Sequence, residues 1–550
     1  MAAEAALGRL SSAALAVAAG LAIALAFPPF GLLPGLGGFA LIMALAERAS
    51  AARPLRSAFW RGWLAGTAFF AVSAGWVWQA FQVDAAEQGW MAPFAVALLA
   101  SGLGLFWGAA ALSYRWIAPG GLARPLVFAG AVMALEWLRG HLLTGFPWDL
   151  PGEAWRAGSP PSQGAALVGA YGLSWITVAI AATPVLLFDA GRWRRGAMAC
   201  LAAALALVAL YAFGAARMGV TSAASETRPV VRIVQPDLPE LPSYDTQSYW
   251  ATVEAHVTLT ARPAARRPDI IVWPERAIPG PFDDYLSKGD WQAAEIAQAL
   301  QPGQLLLTGG YRRAPAPPGV YAPDGYVYFN SLIAVARDGD GLRAVALYDK
   351  FRLVPFGEYL PLARWLAPLH IEDLTHVGAG FSAGPRPRPL ALPGAPLVQP
   401  LICYESLYPG FAREGAIASG RRAAWIVNVS DDAWFGGTYG PIQHLNLASY
   451  RAIEEGLPIV RATPTGVSAV IDAFGRVQAR LDQGRAGVVD AVLPPALPPT
   501  LFDRFGEASF VAMMLISALF AALGVGSRAF SREKRVTAAG SYRKAGMAGD

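Results

Sequence analysis

The side chains of this sequence best suited to covalent chemistry are a cysteine, a glutamate and a lysine, each of which follows a β-like run. Cys403 comes directly after the apolar run 397–402 and is one of only two cysteines; the other, Cys200, lies inside a long hydrophobic run. Glu275 follows a Val-Trp-Pro sequence, and Lys350 follows Tyr-Asp. A thiolate attacks a carbonyl carbon, a carboxylate takes the thiol proton, and an ammonium stabilises the resulting oxyanion. These three residues predict acyl transfer through a thioester.

Each of these residues has an ordinary explanation when it is considered alone. A cysteine in an apolar run is most often a buried packing residue. A Trp-Pro-Glu sequence is compatible with a turn, and Lys350 is compatible with a solvated charge. The occurrence of all three in this order, each at the end of a β-like run, favours catalysis, because strand ends hold side chains rigidly.

The composition indicates a membrane protein. Hydrophobic residues make up 55% of the chain, charged residues make up 15%, and the mean hydropathy is +0.37, whereas soluble proteins contain about 25% charged residues. Apolar runs of about 18 residues or more can span a bilayer. Eight segments are predicted to do so: 9–27, 30–47, 58–82, 91–115, 124–145, 165–188, 195–216 and 507–527.

The segment 217–505 has a different character. It is more polar, rich in Pro and Gly, and alternates β-like with helix-like runs. Its length is sufficient for one α/β domain with a full core. We therefore predict four parts, which are a seven-helix transmembrane bundle (1–216), a catalytic domain outside the cytoplasm (217–505), a last transmembrane helix (506–528) and a basic cytoplasmic tail (529–550).

The net charge of +5 is distributed as expected for a multi-span protein rather than for a nucleic-acid-binding one. Basic residues cluster after the second, fourth, sixth and eighth predicted spans, whereas intervening loops carry Asp84, Glu87, Asp149 and Glu153. By the positive-inside rule, both termini are predicted to be cytoplasmic. The domain between the seventh and eighth spans is then predicted to lie on the opposite side of the membrane.

Within the domain, predicted strands alternate with predicted helices, which is typical of a mixed α/β sandwich. The predicted strands are 230–235, 269–273, 304–310, 326–336, 342–348, 397–403, 424–429, 457–463 and 466–472, and the predicted helices are 246–262 and 440–456. The Asp-Gly-Asp-Gly sequence at 338–341 predicts the turn of a hairpin. The five histidines are scattered, so no metal site is predicted.

Several motifs give the chain a specific resemblance over nearly its whole length. They are Val-Trp-Pro-Glu at 272–275, Tyr-Asp-Lys at 348–350, Val-Pro-Phe-Gly-Glu-Tyr-Leu-Pro at 354–361, Ile-Cys-Tyr-Glu at 402–405, Asp-Ala-Trp-Phe-Gly at 432–436, Glu-Trp-Leu-Arg at 136–139 and Gly-Phe-Pro-Trp at 145–148. With these motifs, the chain resembles the apolipoprotein N-acyltransferases, the integral-membrane family of the nitrilase superfamily. The resemblance implies an eight-helix bundle with a nitrilase-like αββα domain inserted before the last helix.

The resemblance also implies roles for the three residues singled out above. Cys403 corresponds to the nucleophile, Glu275 to the general base and Lys350 to the group that stabilises the oxyanion. The backbone N–H of Tyr404 is expected to supply a second donor to that oxyanion. No cofactor and no metal are implied.

Four further residues match supporting positions of the family. Glu358 is expected to position Lys350 or the incoming amine. Tyr404 and Glu405 match residues required beside the nucleophile, and Glu405 is expected to act from behind it rather than to carry a proton. Trp434 matches an aromatic residue on a mobile loop over the site, where plain packing is the alternative interpretation.

The reaction implied by the resemblance is a two-step exchange. Cys403 takes an acyl group from a membrane phospholipid, expected to be phosphatidylethanolamine, and holds it as a thioester. The α-amine of the diacylglyceryl-cysteine at an apolipoprotein N-terminus then takes the acyl group. The expected location is the bacterial inner membrane, with the catalytic domain on the periplasmic side, and the expected state is a monomer.

The sequence departs from the family pattern at three places. Asp431 stands where the family commonly has Asn, and Pro464 also stands where Asn is common. A tryptophan expected soon after the first strand has no clear counterpart, and either Trp250 or Tyr244 occupies its place. These departures affect loop details and substrate preference rather than the three reacting residues.

Two other functions are compatible with parts of the sequence. The first is a membrane-anchored amidase of the nitrilase type, which would use the same three residues with water as the acceptor. A bundle of many helices argues against it, because one anchor would suffice. The second is a non-catalytic membrane scaffold, against which the intact set of Glu275, Lys350 and Cys403 argues.

Overall fold

The computed structural model describes residues 2–220, 228–241, 244–286, 290–319, 322, 324–361 and 380–524, with side chains for all of these except 2–9 and 285. The predicted basic tail, 529–550, and the C-terminal end of the last predicted span lie outside the described residues. All the residues proposed for the site lie within them.

The N-terminal part of the described chain is helical. Its α-helices are α1 (Ala2–Ala24), α2 (Gly38–Glu47), α3 (Pro54–Ser73), α4 (Val77–Ala80), α5 (Ala85–Gln88), α6 (Ala92–Ile117), α7 (Arg124–Arg139), α8 (Ala165–Ala182) and α9 (Trp193–Met218). Short 3-10 helices cover Leu33–Gly37, Gly89–Met91, Leu142–Thr144, Pro151–Ala154, Pro161–Gly164 and Thr183–Phe188. A helix of ten or more residues therefore overlaps each of the first seven predicted spans.

Several of these helices have the composition of membrane helices. Ala85–Ile117, Pro161–Phe188 and Trp193–Met218 are long and apolar enough to cross a membrane, and shorter apolar helices cover Leu10–Ala24, Leu33–Glu47 and Ala508–Gly524. The segment predicted as the fifth span, 124–145, forms a helix only as far as Arg139. Gly140, Gly145 and Pro147 disfavour helix beyond this point, and residues 140–149 form a loop that reaches the sheets described below.

Helices α3 and α6 pack closely because glycines lie at their contact. A Cβ placed on Gly66 would lie 2.9 Å from the Cα of Gly104, and one placed on Gly62 would lie 3.1 Å from the Cα of Gly108. Small residues four positions apart are typical of helix pairs in membranes, where close packing replaces the hydrophobic driving force available in water. The pattern supports a membrane location for this pair.

The described residues from 230 to 492 contain eleven strands in two sheets. The strands are β1 (Val230–Gln235), β2 (Ile270–Val272), β3 (Leu305–Pro315), β4 (Tyr326–Asp338), β5 (Gly341–Asp349), β6 (Val398–Ile402), β7 (Trp425–Val429), β8 (Ile459–Ala462), β9 (Ser468–Ile471), β10 (Val477–Leu481) and β11 (Gly487–Val492). The first sheet has the order β11-β1-β2-β3-β4-β5, and the second has the order β10-β9-β8-β7-β6. In each sheet three adjacent strands are parallel, β1-β2-β3 and β6-β7-β8, and β6 forms an edge of the second sheet.

The two sheets pack face to face, and helices cover their outer faces. Valine and isoleucine side chains from both sheets form the layer between them, as expected for β-branched residues on buried strands. The remaining helices are α10 (Thr246–Thr260), α11 (Phe282–Tyr285), α12 (Trp291–Ala299), α13 (Phe411–Ser419), α14 (Gly440–Glu455), α15 (Leu501–Phe505) and α16 (Ala508–Gly524). Helices α10 and α12 cover the first sheet, and α13 and α14 cover the second. This helix–sheet–sheet–helix order confirms the predicted α/β sandwich.

Some elements differ from the sequence prediction. Strands β10 and β11 and helices α12 and α13 were not predicted, and β3 extends to Pro315, five residues beyond its predicted end at Gly310. The extension is explained by its antiparallel partner, because β4 pairs with β3 along its full length, from Leu305 to Pro315. The polar residues in the outer half of β3 conceal this pairing from a hydrophobicity pattern.

Buried charges join α14 to the helical bundle. Arg451 forms ion pairs with Glu153, in the loop before α8, at 3.3 Å, and with Glu454 at 3.0 Å. Glu454 also accepts a 2.7 Å hydrogen bond from the backbone N–H of Ala170, where the backbone of Gly169 interrupts α8. The sheet domain therefore provides the N-terminal cap for the second half of a helix in the bundle.

Replacing Arg451 by Leu is expected to destabilise the protein by about 3–5 kcal/mol, because Glu153 and Glu454 would lose the cation between them in a buried site. Thermal denaturation of the detergent-solubilised protein would show this as a lower midpoint. The matched control is Arg480→Leu, since Arg480 pairs with Asp482 at 2.9 Å on the surface, where an ion pair contributes about 0–1 kcal/mol. Equal midpoints for the two variants would contradict this role.

Candidate active site

Cys403 occupies a sharp turn directly after β6. Its φ is +48°, a left-handed conformation that costs a non-glycine residue about 1–2 kcal/mol. Two side chains hold this turn in place. Glu405 accepts a 2.8 Å hydrogen bond from the N–H of Ile402, and the Ser406 hydroxyl donates a 2.8 Å bond to the carbonyl of Cys403. The side chains of Glu405 and Ser406 therefore hold the backbone before and after the Cα of Cys403.

The thiol of Cys403 lies in a buried, charged environment. It contacts the hydroxyl of Ser430, and the charges of Glu275 and Lys350 act on it. Burial raises the pKa of the Cys403 thiol, the charge of Glu275 raises it further, and Lys350 only partly offsets these effects. The thiol is therefore protonated at neutral pH, and its use as a nucleophile requires a base.

Lys350 lies between two carboxylates. Its Nζ is 3.3 Å from an oxygen of Glu275 and donates a 2.9 Å hydrogen bond to Glu358. The lysine side chain is 1% exposed. Burial lowers the pKa of Lys350, but the charges of Glu275 and Glu358 outweigh burial and raise the pKa above its usual value. The ammonium is therefore retained next to the thiol, where it can stabilise a developing oxyanion.

Asn330, on β4, is a site residue that the sequence analysis missed. Its amide donates to Glu275 at 2.7 Å and to Glu358 at 2.6 Å, and its backbone carbonyl accepts the N–H of Lys350 at 2.8 Å. It thus contacts all three charged residues. Its only sequence signal is an amide in a strand whose other inward positions are mostly apolar, which is too weak to single it out.

The Asn330→Asp variant is expected to lower turnover at least 10-fold. The new carboxyl group would lack the amide donor and would stand against Glu275 and Glu358, so one of the three would take up a proton at neutral pH. Acyl transfer measured across pH should therefore recover partly as the pH rises. Asn446→Asp is a matched control, since Asn446 is a buried amide at the contact with the bundle, where it bonds to residues 153 and 157. Equal loss in both variants would contradict a specific role for Asn330.

Glu405 is buried behind the nucleophile and accepts four hydrogen bonds. One oxygen accepts the Tyr348 hydroxyl at 2.7 Å and the N–H groups of Phe351 and Arg352 at 2.7 and 3.1 Å. The other oxygen accepts the N–H of Ile402 described above. Glu405 therefore ties the turn before the nucleophile to the segment that follows Lys350. Burial raises the pKa of Glu405 to about 7.

Tyrosines beside the site bond to the loop 140–149 of the helical bundle. The Tyr404 hydroxyl donates to the carbonyl of Gly145, and the Tyr408 hydroxyl donates to the carbonyl of Thr144 at 2.8 Å. The Tyr359 hydroxyl donates to the carbonyl of Leu143 at 3.2 Å. The residue next to the nucleophile is thus in direct contact with the bundle.

Within the bundle, a buried ion pair supports this loop. Arg139 pairs with Glu136 and donates to the carbonyl of Phe146, and Glu136 accepts the indole N–H of Trp107 at 2.7 Å. Arg139 of the Glu-Trp-Leu-Arg motif therefore holds the backbone of Phe146, in the Gly-Phe-Pro-Trp motif, in place.

Trp434 lies in the short 3-10 helix Asp432–Phe435 and is 38% exposed. Its neighbour Phe435 is buried and packs on Trp76 of the bundle at 4.5 Å. Asp431 caps this 3-10 helix by accepting the N–H of Ala433 at 3.1 Å. Trp434 therefore exposes part of its indole ring, whereas the adjacent Phe435 anchors this 3-10 helix to the bundle.

Two family models match this protein, one over its helical N-terminal part and one over its sheet domain. The family model for the apolipoprotein N-acyltransferase N-terminal domain matches residues 19–183, and the carbon-nitrogen hydrolase model matches residues 230–497. The apolipoprotein N-acyltransferase of Caulobacter vibrioides is 51% identical over 93% of this chain and 94% of its own length. The chain belongs to the apolipoprotein N-acyltransferase family.

More distant relatives agree with this assignment. The apolipoprotein N-acyltransferases of Bradyrhizobium diazoefficiens and Rhodopseudomonas palustris are each 37% identical, over 92% of this chain and 94% of their own lengths. Among solved structures, an amidase of the nitrilase superfamily from Nesterenkonia AN1 is 16% identical over 49% of this chain and 93% of its own, with a TM-score of 0.32.

The departures from the apolipoprotein N-acyltransferase pattern meet in one place. A small cavity of about 20 Å³ beside Glu275 is lined by Tyr244, Asp431 and Pro464, among others. Trp250, the alternative to Tyr244, is 40% exposed and stacks on Trp291 instead. Tyr244 is therefore the residue that faces the site.

The same cavity contains a pair of acids and an arginine. Arg276 lies 2.6 Å from Glu240 and 3.8 Å from Asp431. Burial and the charge of Glu240 raise the pKa of Asp431 well above its usual range, which favours the neutral carboxyl group. The backbone N–H of Asp431 also donates a 2.7 Å bond to Glu275. The neutral form of Asp431 adds no charge beside Glu275.

Ser430, Asp432, His444 and Arg461 also lie close to Cys403, and none of them was proposed as a site residue from the sequence. They come from three separate segments that only the fold brings together. Asp432 lies in the Asp-Ala-Trp-Phe-Gly motif, in which a role was expected only for Trp434, and no motif singled out Arg461 or His444. In the part of the chain that the structure describes, no group of three or more His, Cys, Asp or Glu side chains is arranged to hold a metal ion.

Proposed function

We propose that this protein N-acylates the diacylglyceryl-cysteine of apolipoproteins, with Cys403 as nucleophile, Glu275 as base and Lys350 as oxyanion stabiliser. The observation that carries the proposal is the buried ion pair of Lys350 with Glu275 at 3.3 Å, whose two charges both act on the protonated thiol of Cys403. Membership of the apolipoprotein N-acyltransferase family supports the reaction, and the geometry described above supports the roles.

In the first step, Glu275 takes the thiol proton while the sulfur of Cys403 attacks an ester carbonyl of a phospholipid. The negative charge that forms on the carbonyl oxygen is stabilised by the Lys350 ammonium and the Tyr404 N–H. The bond between the acyl carbon and the glycerol oxygen then breaks, and Glu275 returns its proton to that oxygen. The products are a thioester on Cys403 and a lysophospholipid.

In the second step, the α-amine of the acceptor attacks the thioester. Glu275 takes a proton from the attacking nitrogen, the carbon–sulfur bond breaks, and the sulfur of Cys403 regains a proton. Glu358 keeps Lys350 in position through both steps, and Glu405 fixes the turn that carries the nucleophile. Trp434 contributes apolar surface where acyl chains enter.

The proposal includes an arrangement in the bacterial inner membrane. Residues 1–216 form seven transmembrane helices, 217–505 form the catalytic domain on the periplasmic side, 506–528 form the eighth helix, and 529–550 form a cytoplasmic tail. The charge pattern of the loops and the contact of Tyr404 with the bundle support this arrangement. The acyl donor is phosphatidylethanolamine, and the enzyme works as a monomer without a cofactor.

Intact-mass spectrometry tests the proposal. Purified protein mixed with phosphatidylethanolamine should gain the mass of one fatty acyl group, and a diacylglyceryl-cysteine peptide should remove it. Cys403→Ala should show no gain, whereas Cys200→Ala should behave as the unmodified chain does. Turnover of small soluble amides without a phospholipid adduct would overturn the proposal in favour of the amidase.

A further inference from the structure

A chain of buried hydrogen bonds centred on His444 lies directly behind the nucleophile. The Nε2 of His444 is 3.0 Å from the Ser406 hydroxyl, and its Nδ1 is 3.0 Å from a carboxylate oxygen of Asp432. All three residues are almost completely buried. The order of groups is that of a Ser–His–Asp triad, but its serine is committed elsewhere, because its hydroxyl donates to the carbonyl of Cys403.

Arg461 determines whether Asp432 and His444 carry a charge. Its guanidinium donates to both oxygens of Asp432, at 2.9 and 2.8 Å, and lies 3.0 Å from the Nδ1 of His444. Burial raises the pKa of Asp432, but the charge of Arg461 outweighs burial and lowers it. Burial and Arg461 together lower the pKa of His444. The imidazole is therefore neutral and faces an ionised carboxylate.

Both ends of this series of hydrogen bonds contact Cys403. At one end, the Ser406 hydroxyl donates a hydrogen bond to the Cys403 carbonyl, so its oxygen accepts from the Nε2–H of His444. The Nδ1 of this neutral tautomer accepts from Arg461. At the other end, Ser430 donates to Asp432 at 2.8 Å and contacts the thiol. Backbone and side chain of Cys403 are thus in contact with one connected network of buried polar groups.

The bundle packs against the same histidine. Trp148, at the end of the Gly-Phe-Pro-Trp motif, lies with its ring 5.8 Å from that of His444 and stacks on Phe146 at 5.9 Å. His444 therefore lies between a loop of the bundle and the turn that carries Cys403. It touches no group that reacts in either step.

We propose that His444 is a positioning residue that, through Ser406, holds Cys403 in its left-handed conformation and aims its thiol at the acyl donor. A residue in a sparsely populated conformation persists only when its surroundings fix it, and the Ser406 bond to the Cys403 carbonyl is the contact that does so from the side of His444. The proposal rests on the proposed function, since it takes Cys403 as the nucleophile.

The test is the rate of thioester formation from phosphatidylethanolamine, followed by intact mass under single-turnover conditions. Ser406→Ala and His444→Phe are expected to slow it about 10- to 100-fold. His444→Gln should restore most of the rate, because an amide can donate to Ser406 and accept from Arg461. Ser449→Ala is the matched control, since it removes a buried hydroxyl from the same helix whose bond goes to the carbonyl of Leu445.

Thermal melting of each variant separates positioning from folding. The proposal would be overturned if the rate of thioester formation falls in proportion to the loss of thermal stability and His444→Gln is as slow as His444→Phe. Thioester formation at the unmodified rate in folded Ser406→Ala would also overturn it. If the unmodified protein itself forms no adduct, the proposed function fails rather than the role of His444.

Discussion

The Lys350→Met variant is expected to lose acyl transfer by at least about 10³-fold, the upper end of the effect of removing one oxyanion donor. A second effect adds to the first. Without the ammonium, Glu275 and Glu358 would face each other in a buried site, and like charges at that distance cannot both remain ionised. One would bind a proton at neutral pH, so the base would be lost together with the cation. Residual activity should therefore increase as the pH rises.

Single-turnover acylation across pH, combined with thermal melting, would measure both effects. Arg312→Met is the matched control, because Arg312 pairs with Asp349, the residue before Lys350, at 2.6 Å but is partly exposed. That variant should keep acyl transfer within a few-fold of the unmodified chain. A Lys350→Met variant that is folded and nearly as active as this control would refute the role of Lys350.

The Glu275→Gln variant is expected to change two rates in opposite directions. Acyl transfer should fall about 10²- to 10⁴-fold, because the thiol loses its base. Alkylation of Cys403 by iodoacetamide should shift to lower pH, because the charge of Glu275 raises the pKa of the thiol and its removal lowers that pKa. At a fixed pH below the thiol pKa, the thiolate fraction and the alkylation rate should therefore increase.

A Cys200→Ala background leaves Cys403 as the only thiol for this measurement. Glu414→Gln serves as control, since Glu414 is an exposed carboxylate of the same domain and its loss should move neither rate. If the pH dependence of Cys403 alkylation is unchanged in Glu275→Gln, or moves to higher pH, Glu275 carries no negative charge that acts on the thiol.

The three residues proposed to react could be singled out in the sequence because each follows a short run of one kind of secondary structure. A strand prediction places Glu275, Lys350 and Cys403 at strand ends. The chemistry of their side chains then indicates acyl transfer. Asn330 could not be found in this way, because its partners Glu275 and Glu358 are 55 and 28 residues distant. His444 has the same difficulty, since its contacts come from residues 406, 432 and 461.

The membrane part shows a different limit of sequence reasoning. Hydrophobicity identified the helices but extended the fifth span to residue 145, although the helix ends at Arg139. The excess residues include Leu142 and Leu143, which are about half exposed and lie in a loop that bonds to the sheet domain rather than in a membrane-spanning helix. A scale that counts only transfer from water to an apolar medium does not distinguish these two environments.

The cap that Glu454 provides to Ala170 has a consequence for how the protein is made. A ribosome delivers Ala170 284 residues before Glu454, so the interrupted helix is synthesised and inserted while its cap does not yet exist. An unpaired buried N–H costs about 2–7 kcal/mol. The bundle therefore reaches its lowest free energy only after the sheet domain has folded and docked, and the first part of the protein to be translated is among the last to be completed.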